Sequence, residues 1–314
     1  MIVTVTPNPS VDRTLEVEQL VRGEVLRAAS TRIDAGGKGV NVSRALVANG
    51  HPTEAVLPLG GPDGHVLSRL LGDGGIVHRA VRVSAATRTN VTVSERDGTV
   101  TKVNAPGDPL SDRELDALVG ATVDALADAT WLVGCGSLPD GAPATFYRTL
   151  TERAHAHGVR VAIDTSGAPL AAAISVAPDV VKPNLAELSE LVGRPLLTID
   201  EVIDAAEAVR AAGPSIVVVS LGAHGAVLVD GGPPFLAVPP LVVPRSDVGA
   251  GDTLLAGFLA SGAAGAASLR VGVAWAAAAV TLPGTSVPKP TDIDLDAVRV
   301  RRADDVDLLL GGVR

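Results

Sequence analysis

The sequence is poor in cysteine, aromatic residues and lysine, and each shortage narrows what the chain can be. Its single cysteine, Cys135, permits no intrachain disulfide and no cysteine-built zinc cage, so a reducing compartment such as the cytoplasm is expected. Six aromatic side chains among 314 residues leave no platform for stacking bases. Lysine and arginine together number 26 against 35 acidic residues, a net charge of −9, which argues against binding nucleic acid or an anionic membrane surface. Any anionic ligand must therefore meet a local cluster of cations. Residues 1–13 lack a basic segment and carry Pro7 and Pro9 where an export signal needs an apolar run. The long uncharged stretches 253–269 and 271–288 are rich in Gly and Ala, and Pro283 and Gly284 break the second. They read as buried helices and not as membrane spans.

What is present is an apolar fraction of 46%, carried by Ala, Val and Leu and sufficient for a large core. Short apolar runs at 2–6, 55–59, 131–135, 159–163, 180–181 and 216–219 read as buried parallel strands. Helical spacing fills 41–49, 111–126, 143–157, 185–192 and 199–212. This alternation predicts an α/β fold, a doubly wound and mostly parallel sheet with helices on both faces. Two stretches interrupt it: 13–33, where polar and apolar residues mix, and 87–104, where alternating residues flank a turn at Asp97-Gly98. They predict a small β-sheet lid formed by insertions at about 12–34 and 87–104. A β-rich stretch at 215–243 and a helix pair at 250–280 complete the pattern. No repeat or linker intervenes, so one domain over 1–314 is expected. A bare lid edge also predicts a homodimer formed through the lid.

The strongest local motif is Asp247-Val248-Gly249-Ala250-Gly251-Asp252-Thr253, a glycine turn opening onto a helical run near Leu254. Glycines let successive N–H groups point into one concavity, and a helix N-terminus adds positive potential, so the turn suits a phosphate or a developing phosphoryl charge. A carboxylate is a poor ligand for another anion, which makes Asp252 a candidate base for an attacking hydroxyl. An acid capping a helix start is the plainer reading of the same residues. A second turn, Gly36-Gly37-Lys38-Gly39-Val40-Asn41, sets a cation and an amide at a helix start. It is not a Walker A loop, because Ile33 and Gly39 stand where Gly and Ser or Thr are required, and it lacks the dinucleotide spacing.

Lysine occurs only at 38, 102, 182 and 289. If the hairpin carrying Arg88 and Lys102 folds over 36–41, these two cations and Lys38 form a pocket for a substrate phosphate. A solvated face is the alternative. In Lys182-Pro183-Asn184-Leu185-Ala186-Glu187, Asn184 and Glu187 lie one helical turn apart. That spacing serves equally as a capping pattern or as oxygen ligands for hydrated Mg²⁺ beside nucleotide phosphates. The segment Ser220-Leu221-Gly222-Ala223-His224-Gly225 is either a tight turn or a loop that approaches a nucleotide. No His-Glu-x-x-His pair and no Gly-x-Ser-x-Gly elbow is present.

In this order the motifs resemble the PfkB family of carbohydrate kinases, which have the ribokinase-like fold. The resemblance begins with Thr4-Val5-Thr6-Pro7-Asn8-Pro9-Ser10-Val11-Asp12-Arg13 and passes through residues 34–44 and Thr87-Arg88-Thr89-Asn90. It continues with Gly136-Ser137-Leu138-Pro139, Val181-Lys182-Pro183-Asn184 with Glu187, and Ser220-Leu221-Gly222-Ala223, and closes on 248–253. The likeness is strongest to the branch of 1-phosphofructokinases and tagatose-6-phosphate kinases.

The resemblance implies Asp252 as catalytic base, with Gly249, Ala250 and Gly251 as its anion hole. It sets Asp12, Gly37 and Asn41 on sugar hydroxyls and Lys38, Arg88, Lys102 and Ser137 around the sugar phosphate. Lys182, Asn184, Ser220, Gly222 and Gly225 fall to ATP, and Asn184 with Glu187 to Mg²⁺. The lid segment 23–27 departs from the branch at Leu26, so only Arg27 is carried over to the substrate. The expected activity is phosphorylation of fructose 1-phosphate by MgATP. Tagatose 6-phosphate or fructose 6-phosphate is the alternative acceptor, and a noncatalytic sugar-phosphate-binding regulator is the alternative of another class.

Overall fold

Valine-rich runs build the centre of a ten-stranded sheet in the computed structural model, which describes residues 1–304, 306, 309 and 310. In chain order the elements are β1 (Ile2–Val5), β2 (Ser10–Val17), β3 (Ser30–Gly36), α1 (Lys38–Ala48), β4 (Thr53–Leu59), α2 (Gly61–Asp73), β5 (Val77–Arg82), β6 (Arg88–Glu95) and β7 (Val100–Val103). There follow α3 (Asp112–Asp124), β8 (Trp131–Cys135), α4 (Phe146–Ala156), β9 (Arg160–Asp164), α5 (Gly167–Ile174), β10 (Val180–Val181), α6 (Leu185–Val192) and α7 (Ile199–Ala211). The remainder is β11 (Ile216–Ser220), β12 (Ala226–Val229), β13 (Phe235–Val238), α8 (Ala250–Ala260), α9 (Gly265–Val280) and β14 (Arg299–Arg302).

The large sheet runs β14-β13-β12-β11-β10-β9-β8-β1-β4-β5, parallel from β11 to β5 and antiparallel from β11 to β14. Successive strand residues face opposite ways, so one strand feeds two cores. Val217 and Val219 of β11 belong to the core that also takes in α3, α4, α5 and α7, while Val218 belongs to the core of α8 and α9. This is the expected α/β architecture, with helices on both faces. Burying a side chain such as Leu150 or Leu255, both at most 1% exposed, contributes roughly 1.5–3 kcal/mol.

The smaller sheet has the order β3-β2-β6-β7 and is built from the two interrupting stretches. Strand β2 pairs parallel to β6 and antiparallel to β3, and Asp97 and Gly98 turn β6 into β7 as expected. Ser111 with Glu114 and Thr198 with Glu201 form capping boxes that start α3 and α7. Helix α2 and strand β5 were not anticipated. Gly61-Pro62-Asp63-Gly64 reads as a turn, yet Pro62 opens a helix, where its missing N–H costs nothing. Strand β5 is an edge strand with His78, Arg79 and Arg82 among its six residues, so no apolar run announces it.

Candidate active site

Strand β1 is flanked by β4 on one side and β8 on the other, so the chain reverses its winding direction there. A crevice at the carboxyl ends of the strands follows, the usual ligand position in such sheets. Five segments converge on it: the start of α1, the ends of β8, β9 and β10, and the turn into α8.

That last turn places Gly249 in the left-handed region at φ 78°, a conformation that glycine adopts without strain. Helix α8 has no side-chain cap. Asp252 sits in its first turn, 6% exposed, and accepts from Asn41 Nδ2 at 2.8 Å, so the acid does not cap the helix. Ala250 N–H reaches Asp247 O only at 3.4 Å, and the N–H groups of Gly251 and Asp252 belong to the first turn, whose donors have no intrahelical acceptor. The turn therefore offers open donors beside a buried carboxylate. Burial and then repulsion by Asp164 raise the Asp252 pKa to about 6, against the pull of Lys38, Asn41 and Lys182.

Asp164, at the end of β9, has no exposed surface. Lys38 Nζ lies 2.8 Å from its Oδ1 and Lys182 Nζ 2.9 Å from its Oδ2. Burial disfavours this carboxylate's charge, but the two lysines prevail and hold its pKa below the usual range. Lys182 is itself 4% exposed, and its Nζ lies 3.2 Å from where a Cβ on Gly251 would stand. Lys38 is more open and also faces Glu187 Oε1 at 3.6 Å. Burial works against the Lys38 charge, yet Asp164, Glu187 and Asp252 together raise its pKa.

Asn184 and Glu187 form a capping box at the start of α6: Glu187 N–H donates to Asn184 Oδ1 and Asn184 N–H to Glu187 Oε2, both at 2.8 Å. Glu187 Oε1 takes no hydrogen bond among the described residues. A hydrated Mg²⁺ brought in on nucleotide phosphates needs only one or two carboxylates, so this oxygen, faced only by Lys38 at 3.6 Å among the described residues, fits such an ion. Among the described residues no group of three or more His, Cys, Asp or Glu side chains forms a metal cage. Ser220 pairs with Asn184 in an isolated bridge, which brings the end of β11 and the following Gly222 and Gly225 beside the same edge.

A second cluster lies where the small sheet meets the large one. Asp12 on β2 accepts from Ser10 Oγ at 2.7 Å and Asn90 Nδ2 at 2.9 Å. Arg88 at the start of β6 donates to Asn8 O and Ala105 O, and burial lowers its pKa. Asn8 Nδ2 reaches Ser137 Oγ at 3.5 Å. Gly37 is the N-cap of α1, between this cluster and Lys38.

The expected trio of Lys38, Arg88 and Lys102 is not assembled by the contacts. Lys102 Nζ is instead 2.8 Å from Asp247 Oδ1, just before the α8 turn, because β7 places it on the outer strand of the small sheet. Arg27 stands exposed in the loop between β2 and β3, without a partner among the described residues. Sequence reasoning missed Asp164, Asn8 and Asn90. An acid ending the apolar run Val161-Ala162-Ile163 was the available sign for Asp164.

The pfkB family carbohydrate kinase model matches residues 6–292. This chain belongs to the pfkB family of carbohydrate kinases. The 1-phosphofructokinase of Rhodobacter capsulatus is 40% identical, over 92% of this chain and 93% of that protein. An ATP-dependent 6-phosphofructokinase isozyme 2 of Mycobacterium tuberculosis is 35% identical, over 93% of this chain and 88% of that protein. Among solved structures, phosphofructokinase-2 from Escherichia coli in complex with substrates and products superposes with a TM-score of 0.86 at 34% identity, covering 93% of this chain and 96% of that one. The pfkB kinase described here is thus a phosphotransferase with the ribokinase-like fold, and its family implies ATP as phosphoryl donor. No helix among its described residues is long and apolar enough to cross a membrane.

Proposed function

We propose that this pfkB kinase is a 1-phosphofructokinase, converting fructose 1-phosphate and ATP to fructose 1,6-bisphosphate and ADP. The observation that carries the reading is Asp252, a buried carboxylate with a pKa raised to about 6, beside the open N–H groups of the α8 turn. The 40% identity to a 1-phosphofructokinase supports the choice of acceptor.

In this mechanism the C6 hydroxyl of the sugar attacks the γ-phosphorus in line and Asp252 accepts its proton. The bond from phosphorus to the β,γ-bridging oxygen breaks, and ADP leaves. A base with a pKa near 6 is mostly ionised at neutral pH yet still basic enough to take the proton. The N–H groups of Gly249, Ala250 and Gly251 meet charge on the transferring group without reorganising. Glu187 and Asn184 are the residues that would hold a divalent cation on the nucleotide phosphates, which when bound would neutralise developing charge. Lys182, Ser220, Gly222 and Gly225 face the nucleotide.

On the acceptor side, Asp12 and Asn41 take sugar hydroxyls, with Gly37 giving the ring room. The unpartnered Asn41 Oδ1 supports this assignment. Arg88, Ser137 and Lys38 take the sugar phosphate, and Lys102 and Arg27 join them when the small sheet closes as a lid. We further propose one domain over 1–314, a cytoplasmic location and a homodimer through the lid. Val25, Val103, Val100 and Ile33 expose 92, 62, 45 and 41% of their surface there, which supports a covered face.

ADP release from MgATP with fructose 1-phosphate, fructose 6-phosphate and tagatose 6-phosphate tests the reading. The expected result is a kcat/KM for fructose 1-phosphate at least tenfold above the others. Preference for a 6-phosphate, which the M. tuberculosis relative makes the second reading, would replace the acceptor and keep the chemistry.

A further inference from the structure

Asp164 is a carboxylate that the sequence reading did not use, and its surroundings differ from those of a stabilising ion pair. It is fully buried and binds two lysines, one on each oxygen, at 2.8 and 2.9 Å. The three residues come from three elements: the first residue of α1, the last of β9, and the residue after β10. Buried ion pairs contribute little net stability compared with apolar packing, so such a triad points to a role in registry. Its placement says which register is held. Lys182 Nζ is packed against Gly251 in the first turn of α8, and Lys38 lies on the same helix as Asn41, the hydrogen-bond partner of Asp252.

We propose that Asp164 is a positioning residue for phosphoryl transfer, fixing Lys182 against the 249–252 turn so that its ammonium group meets the charge of the transferring phosphate, and holding Lys38 in place on the acceptor side. This rests on the kinase reading above. Without the carboxylate, two cations would face each other in a poorly solvated crevice, and the buried Lys182 would lose its ion-pair partner. They would separate and lose their fixed places against the turn. Asp164 thus acts through the lysines and touches no reacting atom itself.

Its charge also reaches the base. Asp252 is faced by Lys38 and Asn41 from α1, Asp164 from β9, Lys182 beyond β10 and Cys135 from β8. Asp164 favours the protonated acid, whereas Lys38, Lys182 and the Asn41 amide favour the carboxylate. Removing the Asp164 charge removes the largest charge effect that raises the pKa of Asp252, and so lowers it.

The test measures kcat and KM for MgATP and fructose 1-phosphate between pH 5 and 9 in Asp164→Asn, with folding checked by near-ultraviolet circular dichroism. The expected result is a fall in kcat of about tenfold or more at pH 8, together with an acidic limb of kcat/KM displaced to lower pH. A merely structural role would lower the melting temperature and leave the limb in place. Lys182→Met and the Asp164→Asn/Lys182→Met double variant form a cycle. The double variant is expected to lose much less than the product of the two single losses, as residues acting as a unit do. A folded Asp164→Asn enzyme with the parent limb and kcat within twofold overturns the proposal, and so do losses that multiply.

If Asp164→Asn does not fold, Asp164→Glu carries the test. It keeps the charge but moves the carboxylate by one methylene, so kcat is expected to fall while the limb stays; an unchanged kcat overturns the proposal. Asp252→Asn is measured in parallel. Activity retained there refutes the base assignment independently of the Asp164 result.

Discussion

Asn41 and Asp252, 211 residues apart in the chain, meet in a buried hydrogen bond of 2.8 Å from Asn41 Nδ2 to Asp252 Oδ2. This contact joins the first turn of α1 to the first turn of α8. It holds one carboxylate oxygen and fixes the orientation of the acid beside the open N–H groups. The amide oxygen of Asn41 has no partner among the described residues and remains available to a ligand.

Asn41→Ala removes the amide that favours the ionised form of Asp252. The pKa of Asp252 is then expected to rise above about 6, moving the acidic limb of kcat/KM to higher pH. Loss of orientation is expected to reduce kcat by about tenfold or more. A pH–rate profile checks both, and an unmoved limb would contradict the role of the amide.

Asp252→Asn is expected to lower kcat by about 10² to 10⁴. Its effect on stability has the opposite sign. The folded pKa of about 6 exceeds the reference 3.8, so this group's stabilising contribution is complete below about pH 4 and is lost as pH rises through 6. The asparagine variant should therefore melt above the parent at pH 8, with the gap closing toward pH 5. Calorimetry at the two pH values decides it, and a variant that melts lower at pH 8 contradicts the sign.

Lys102 and Asp247 form an exposed pair, the Asp247 side chain being 85% accessible. Such a pair contributes about 0–1 kcal/mol, so neither Lys102→Ala nor Asp247→Ala should shift the melting temperature by more than a degree or two. Their KM values for the sugar phosphate separate two roles. If Lys102 binds the phosphate when the lid closes, Lys102→Ala raises KM while Asp247→Ala frees the lysine and lowers it. Equal changes in the same direction would mean that the lysine acts by latching the small sheet to the α8 turn.

Gly225 has φ 94°, and a Cβ there would collide with the carbonyl oxygen of Ala237 on the neighbouring strand. Gly225→Ala is expected to destabilise the fold by about 2 kcal/mol or more, visible in urea unfolding before any nucleotide is added. A variant of parent stability but weaker ATP binding would instead assign this glycine to the nucleotide alone.

Val25 is 92% exposed at the tip of the loop joining β2 and β3. If the lid forms the dimer, Val25→Lys should weaken the association by about tenfold or more in sedimentation velocity. A monomeric parent would remove the dimer altogether.

Much of this protein was legible because local chemistry repeats locally. The strands at 131–135 and 180–181 and the helix at 185–192 appear where apolar runs and the Asn184 cap place them. The 249–252 turn was legible for the same reason, since glycines at fixed spacing before a helix carry their own conformation. Helix α2 was hidden behind turn-like residues, and β5 behind the charges that an edge strand tolerates. Lys102 was assigned by its neighbours in sequence, but the pairing of β7 on the outer side of β6 gave it Asp247 as partner.

By itself, the sequence determined the α/β class, the small second sheet and the glycine turn that carries Asp252, because periodicity, turn residues and strand composition act over a few residues. Only the tertiary structure decided that Asp252 contacts Asn41 rather than capping its helix, and that Asp164 binds Lys38 and Lys182. Those contacts join residues 18 to 211 positions apart, and no local pattern encodes them. They are fixed by which strand ends the parallel sheet brings to one crevice, and by burial there, which makes each charge depend on its partners.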